Sequence, residues 1–216
     1  MAEERRGNET SIELASRDDI PAILKLMNDE AQRSLATAAH GDEDLGKWER
    51  TWSAQQLFYP WLVARRADRV VGYAKAGPYS DRDGYRWSVN LSIYLSPAAQ
   101  GSGLAFSLYQ RLFTILTAQG YRAAYARIAL PNEASCQLHR RFGLQEVGRL
   151  PAFGWKFGRW YDVALFVGAV GDEMRDDRSP PPLPKPLARL EPSLLLETPP
   201  LRESESSPEL VTERLQ

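Results

Sequence analysis

The chain has 216 residues, of which 43% are hydrophobic and 25% charged, and a formal net charge of -1. Such a composition is typical of one soluble globular domain with an appendage. Its single cysteine excludes an intramolecular disulfide, its two histidines lie far apart, and its basic residues form no stripe, so we predict neither a metal site nor a nucleic-acid partner. No apolar run approaches the roughly 20 residues of a membrane span and no targeting signal is visible, which predicts a cytoplasmic protein without a membrane partner.

The N-terminal half of the chain alternates short apolar runs with turn residues. Residues 77–84 are polar and are predicted to form a loop. Hydrophobic periodicity predicts a strand over 12–15, a helix that begins near Ile20, a second helix over 48–57, and strands over 61–65 and 69–75. This order of strands and helices is typical of a mixed α/β layer.

The most informative stretch passes from a two-residue alternation into a helical repeat. Residues 89–95 alternate apolar and polar side chains, which predicts a strand with one core face. Gly101 and Gly103 then allow positive φ and close approach of a ligand, and a helix over 103–119 follows, ended by Gly120. The unpaired N–H groups at such a helix start attract phosphate, although a plain connection without a ligand would also fit the turn.

The rest of the domain repeats strand, helix and strand. Strands are predicted over 123–130, 145–150 and 161–167, with a helix over 133–142 that Asn132 caps. The predicted fold class is therefore α/β. We predict a flexible N-terminus over 1–9, one domain over 10–171 and a tail over 172–216. Because the tail holds nine of the fifteen prolines among Ser and Glu, it is predicted to be disordered.

Residues 100–105 read Gln-Gly-Ser-Gly-Leu-Ala, and this pattern resembles the pyrophosphate loop of the GNAT superfamily of N-acetyltransferases. The resemblance covers roughly residues 10 to 167. It implies the GNAT acyl-CoA N-acyltransferase fold, a mixed and mostly antiparallel central sheet flanked by helices. Further stretches that match its phosphinothricin and methionine sulfoximine acetyltransferase branch, in order and in spacing, are 59–64, 76–78, 130–135, 138–139 and 156–163.

The resemblance also implies where the cosubstrate, acetyl-CoA, would bind. Its pantetheine would run beside Ile93, Tyr94 and Leu95 as an additional strand. Asn132 and Ser135 match family contacts to the cofactor, while helix capping explains Asn132 equally well. The pyrophosphate is implied to lie on the backbone of the loop and helix start formed by Gln100, Gly101, Ser102, Gly103, Leu104, Ala105 and Phe106.

Three residues match positions that the family uses for its chemistry. Tyr109 is implied to protonate the departing thiolate, since a phenol can transfer a proton to a thiolate. His139 matches a histidine near the substrate and is the candidate base. Asn90 replaces a family glutamate, so it cannot take up a proton, but its amide can orient a water or the amine. The alternatives are that Tyr109 is only a core tyrosine and that His139 is only a structural residue of its helix.

The loop over 77–84 and the residues after it keep part of a carboxylate-binding pattern. Arg82 and Tyr85 match the family's Arg and Tyr there, and an arginine fork suits a carboxylate, although a solvated loop charge explains Arg82 as well. Ser80 replaces a family lysine and Ala38 a family phenylalanine, which argues against phosphinothricin itself as the substrate.

The resemblance therefore predicts an enzyme that acetylates the primary amine of a small molecule, an amino acid or an amino-acid analogue, from acetyl-CoA. The alternative is an acetyl-CoA-binding module of the same fold that has lost catalysis, because Asn90 stands where a glutamate is expected. These two hypotheses differ in whether free thiol is released. The sequence does not determine the oligomeric state, and a homodimer is compatible with it.

Overall fold

A seven-stranded sheet organises the computed structural model, which describes residues 10–171 and 181–196. Its strands lie in the order β1-β2-β3-β4-β5-β7-β6, and each neighbouring pair is antiparallel except β4 and β5. The predicted α/β class with a mostly antiparallel sheet is thus confirmed. The strands are β1 Thr10–Leu14, β2 Trp61–Arg66, β3 Arg69–Pro78, β4 Ser88–Leu95, β5 Ala123–Ala129, β6 Gln145–Lys156 and β7 Arg159–Ala169.

Helices cover both faces of this sheet because side chains alternate along each strand. On β2, Trp61 and Val63 pack in a cluster with the first helix, α1 (Ile20–Arg33), whereas Leu62 and Ala64 pack on the opposite face in the main core. The helix α3 (Leu104–Gln119) contributes to that main core through its apolar stripe. The helices are α1 Ile20–Arg33, α2 Leu45–Gln55, α3 Leu104–Gln119, α4 Glu133–Arg141 and α5 Pro192–Leu196.

Several predicted boundaries in the first half of the chain differ from the structure, and two of them are wrong by three residues. The α2 helix begins at Leu45 rather than 48, because the Asp44 carboxylate accepts a hydrogen bond from the backbone N–H of Lys47 at 2.7 Å and caps the helix there. Strand β3 continues through Pro78 into the predicted loop, and its Gly77 lies opposite Asn90 of β4. Pairing with β4 thus extends β3 beyond the point where local turn residues predict an end.

The β6–β7 hairpin is longer than the predicted strands over 145–150 and 161–167. Pro151 and Gly154 indicate a break, but an irregularity in register between Leu150 and Gly154 absorbs the extra residues and lets pairing resume. The hairpin turns at Phe157 and Gly158, which have φ values of 51° and 73°. Pairing with β7 therefore overrides the local signal.

The structure differs from the predicted disordered tail over residues 181–196, which we call the C-terminal strap. Its Lys185 exchanges hydrogen bonds with Gln119 at the end of α3: the Lys185 N–H donates to the Gln119 carbonyl at 2.7 Å, and Gln119 Nε2 donates to the Lys185 carbonyl at 2.9 Å. Leu187 and Leu190 are buried in the main core. Predicted tail residues 172–180 and 197–216, like the predicted N-terminus 1–9, lie outside the described residues.

Replacing Leu187 or Leu190 by alanine should destabilise the fold by about 2 kcal/mol each, since a buried leucine loses apolar contacts and leaves a cavity. The thermal midpoint should fall by about 5 °C for each variant. Leu183 on the same strap is 59% exposed, so Leu183→Ala is the matched control and should melt like the parent. Differential scanning calorimetry measures all three, and equal midpoints would show that the strap does not contribute to stability.

Candidate active site

The sheet opens between its two parallel strands. β4 and β5 are paired only at Ser88–Ala123, Val89–Ala124 and Asn90–Tyr125, and in the described sheet their pairing ends there. Beyond that point β4 still pairs with β3, and β5 still pairs with β7. The facing edges of the two strands thus present backbone groups that an extended ligand can pair with, as an added strand does.

A cleft of about 630 Å³ occupies this opening, a volume within the range of small-molecule sites. The structure brings together most of the predicted site residues, although they come from β4, the following loop, α3 and α4. Those that line the cleft are Ile93, Tyr94, Leu95, Gln100, Gly101, Gly103, Ala105, Phe106, Tyr109, Asn132, Ser135 and His139.

The remaining predicted residues lie outside the cleft lining. Ser102 Oγ donates a hydrogen bond to the Ala99 carbonyl at 2.7 Å, and the Leu104 side chain is buried in the main core. Asn90 is half-buried and lies at the last β4–β5 residue pair, just before the two strands separate. Arg82 and Tyr85 are exposed and lie in the segment before β4. Their assignment to substrate therefore has no support from the cleft itself.

One mouth of the cleft is formed by the glycine loop and the start of α3. Gly101 and Gly103 have φ values of 72° and 78°, a region that residues with a Cβ rarely adopt. A Cβ built on either residue meets no other atom within 4 Å, so the space above the loop is open to a ligand. The N–H groups of the first turn of α3 have no intrahelical acceptor and lie at the positive end of the helix dipole. This mouth fits a pyrophosphate.

A buried hydrogen-bonded pair lies in the wall of the cleft. The Tyr109 hydroxyl is 3.0 Å from His139 Nε2, and His139 Nδ1 is 2.7 Å from the Ser135 carbonyl. Because a carbonyl only accepts, Nδ1 carries the proton, and the lone pair of Nε2 accepts from the Tyr109 hydroxyl in neutral histidine. Both ring nitrogens are therefore engaged within the protein.

The protonation states of this pair follow from its burial. Tyr109 is fully buried and His139 is 3% exposed. Burial lowers the pKa of His139 below its usual 6.5, against the opposing effect of the Ser135 carbonyl. Burial also raises the pKa of Tyr109, and the nearby Tyr94 adds to that rise. At neutral pH the pair thus consists of an uncharged imidazole and a protonated phenol.

Asn132 serves as a helix cap and also lines the cleft. Its Oδ1 accepts a hydrogen bond from the Ser135 N–H at 3.2 Å, which satisfies one of the free donors at the start of α4. The same α4 helix carries His139, one turn after Ser135. The cap and the cleft function predicted for Asn132 are therefore compatible in this arrangement.

The opposite mouth of the cleft contains residues that the sequence analysis missed. Glu30 near the end of α1 lines it, and the residues after α1 are held by Lys156, whose Nζ donates to the Ser34 and Thr37 carbonyls at 2.9 and 2.8 Å. Arg127 of β5 also lines this mouth. The sequence does contain a signal for Arg127, because this charged residue interrupts an otherwise uncharged strand. The signal shows which face of the sheet Arg127 occupies only when the register of β5 is known.

Within the described ranges, no helix combines the length and the apolar character needed to cross a bilayer. The same ranges hold no group of three or more His, Cys, Asp or Glu side chains arranged to bind a metal ion.

Known proteins resemble this chain in sequence and in fold. The profile of the acetyltransferase (GNAT) domain matches residues 12–165. Phosphinothricin N-acetyltransferase of Streptomyces viridochromogenes is 34% identical over 187 residues, which cover 87% of this chain and 97% of that protein. L-methionine sulfoximine/L-methionine sulfone acetyltransferase of Pseudomonas paraeruginosa is 37% identical over 157 residues, which cover 72% of this chain and 91% of that protein.

A solved structure agrees with this likeness. The GNAT superfamily phosphinothricin acetyltransferase from Sinorhizobium meliloti, in complex with AcCoA, superimposes with a TM-score of 0.73 at 30% identity, over 80% of this chain and 93% of that one. The open strand pair, the glycine loop and these comparisons lead to one conclusion. The chain belongs to the GNAT acetyltransferase family, with acetyl-CoA as its cosubstrate.

Proposed function

We propose that this acetyltransferase acts on the primary amine of an amino acid or amino-acid analogue. The observation that carries the proposal is the cleft between β4 and β5, which is lined on one side by the glycine loop and on the other by the end of α1 and the face of β5. The names of the two relatives above support an acceptor of this class. The amine would reach the thioester from the α1 side of the opening.

For the cosubstrate, we propose that the backbone of residues 101–106 holds the pyrophosphate and that residues 93–95 pair with the pantetheine. Open space above Gly101 and Gly103 and the unpaired edge of β4 support this placement. Asn132 and Ser135 would contact the same molecule from the start of α4. Acetyl-CoA supplies an activated acyl thioester when bound; everything else in the reaction depends on positioning and on proton transfer.

The proposed reaction moves one proton from the amine to the thiolate. The amine nitrogen forms a bond to the thioester carbon, the carbon–sulfur bond breaks, and the amine loses a proton. We propose that the amine proton passes by way of water to the Tyr109 oxygen while the phenol gives its own proton to His139 Nε2. The imidazolium then returns its proton to the Tyr109 oxygen as the phenol gives a proton to the sulfur, so both residues end unchanged.

Asn90 has a different role in this proposal. It lies at the last residue pair before the strands separate, directly opposite Tyr125 of β5. Its amide donates and accepts hydrogen bonds but does not ionise near neutral pH. We propose that Asn90 orients the water that carries the proton, which leaves His139 as the group that takes it up.

Arg82 and Tyr85 remain candidates for the acceptor carboxylate. The Tyr85 ring packs edge-on against Tyr79 at 5.2 Å, and Tyr79 packs against Tyr125 at 5.3 Å, so the segment before β4 reaches the α1-side face of β5. A contact between this segment and the acceptor is thus geometrically reasonable.

We also propose a cytoplasmic homodimer that has no nucleic acid or membrane as partner. The β6–β7 hairpin exposes a group of aromatic side chains, and such apolar patches mark contact surfaces. The exposed residues are Phe153, Trp155, Phe157 and Trp160. Sedimentation of the purified protein at the mass of one chain would contradict the dimer.

A screen of amines tests the proposed activity. With acetyl-CoA present, we expect release of free thiol in the presence of L-methionine sulfone, L-phosphinothricin or another L-amino acid, and none with the same compound after its amine is blocked. Mass spectrometry should find the N-acetyl product. Binding of acetyl-CoA without thiol release for any amine would instead favour the noncatalytic module.

A further inference from the structure

Arg127 lies where the acceptor would enter the cleft. On the parallel pair, Tyr125 is opposite Asn90, and Arg127 follows two residues later, beyond the point where β4 and β5 separate. Because strand side chains alternate, Tyr125 and Arg127 project to one face while Ala126 and Ile128 join the main core with α3. Arg127 therefore lies on the face away from α3, among the residues that line the cleft.

The surroundings of Arg127 leave its charge available. Its side chain is exposed, and no ion pair of Arg127 is found among the described residues. Glu30, the carboxylate at the same mouth, is hydrogen-bonded to the side chains of Arg33 and Ser34 and is thus already satisfied. A guanidinium without a carboxylate partner at the rim of a cleft is suited to bind an anion.

The positive charge of Arg127 acts on two tyrosine phenols. Burial raises the pKa of the Tyr94 phenol, and a hydrogen bond with Thr37 and the positive charge of Arg127 both oppose that rise. Burial likewise raises the pKa of Tyr125, again against Arg127. Arg127 thus lies near both phenols, one on each side of the opening. Tyr94 is held in place by its hydroxyl, which donates to the Ala36 carbonyl at 3.4 Å.

We propose that Arg127 binds the carboxylate of the acceptor and selects amines that carry one. This inference rests on the proposed function, and it assigns the anion-binding role to β5 rather than to the segment before β4. A guanidinium on a strand is held more rigidly than one on a loop, and its planar fork can pair with both oxygens of a carboxylate. The amine end of the acceptor would then point into the opening, toward the pair formed by Tyr109 and His139.

The test compares L-methionine sulfone with its carboxamide, which has the same amine but no negative charge. The parent should prefer the acid by at least roughly tenfold in kcat/KM, as expected for a charge-assisted contact. Arg127→Ala should lose this preference through a higher KM for the acid, with unchanged affinity for CoA. Arg127→Lys should recover part of it, since a lysine keeps the charge without the fork. Arg69→Ala removes an exposed arginine at the start of β3 and is the control.

Calorimetry separates this inference from the proposed activity. L-methionine sulfone is titrated into CoA-saturated parent and Arg127→Ala. Weaker binding to the variant supports the role of Arg127 even if no thiol is released. The absence of thiol release would contradict only the proposed catalytic activity. Equal binding to both proteins, or no binding to the parent, overturns the inference. Loss of the acid preference in Arg82→Ala together with its retention in Arg127→Ala would also overturn it and assign the carboxylate to Arg82.

Discussion

Replacing Gly103 by valine should weaken the binding of acetyl-CoA by about a hundredfold, equivalent to about 2.7 kcal/mol. Gly103 has a φ of 78°, a conformation that a β-branched residue adopts only with strain. Relaxing that strain would turn the first N–H groups of α3 away from the loop. The valine side chain would also occupy the open space above Gly103, where the pyrophosphate is proposed to lie.

The matched control is Gly120→Val at the other end of α3. Gly120 also has a positive φ, 90°, and open space around its Cβ position, so the backbone strain is comparable. It lies outside the cleft lining. Both variants should melt at lower temperature than the parent, but only Gly103→Val should lose affinity for CoA in calorimetry. Equal affinity of the two variants would contradict the assignment of the loop to the pyrophosphate.

Removing the Tyr109 hydroxyl with Tyr109→Phe should lower kcat by about a hundredfold, the lower range of the effect of a general acid or base. The phenol is proposed to protonate the thiolate, and it also receives the proton that His139 collects. Affinity for acetyl-CoA should stay close to that of the parent, because the change removes one hydroxyl from the wall of the cleft. His139→Gln should have an effect of similar size, and the double variant should lose little more, since the two residues act as one relay.

The pH dependence of kcat/KM distinguishes this relay from a merely structural pair. His139 accepts a proton only when neutral, and burial lowers its pKa below 6.5. The rate should therefore fall as pH drops through that lowered pKa, and the ionisation of His139 should no longer change the rate at neutral pH and above. His139→Gln should lack this acidic limb, and Asn90→Glu should add a new carboxylate ionisation below neutrality. A parental rate and profile in His139→Gln would show that water alone takes up the proton.

Local interactions explain which parts of the fold were predictable. The alternation of residues 89–95 defines the two faces of β4, and a glycine at 103 permits the positive φ that starts α3. Each depends on a few neighbouring residues, so each is readable from the chain alone. The predicted α/β class is confirmed by the seven-stranded sheet, and the predicted GNAT family by a match over residues 12–165. The limits of α2 and of the β6–β7 hairpin depend on caps and partner strands, and there the prediction is wrong.

The sequence by itself determined the fold class and the positions of the loop and central helix, because these follow from short-range periodicity and backbone freedom. It also indicated the family, through the resemblance of several separated stretches to known acetyltransferases. Only the tertiary structure decided which distant residues meet. It joins Tyr109 to His139 across 30 positions of the chain, packs Leu187 of the strap into the main core, and turns Arg127 toward the α1 side of the cleft. Such contacts depend on strand register and on the surface that other elements leave uncovered, and neither is encoded in the local sequence.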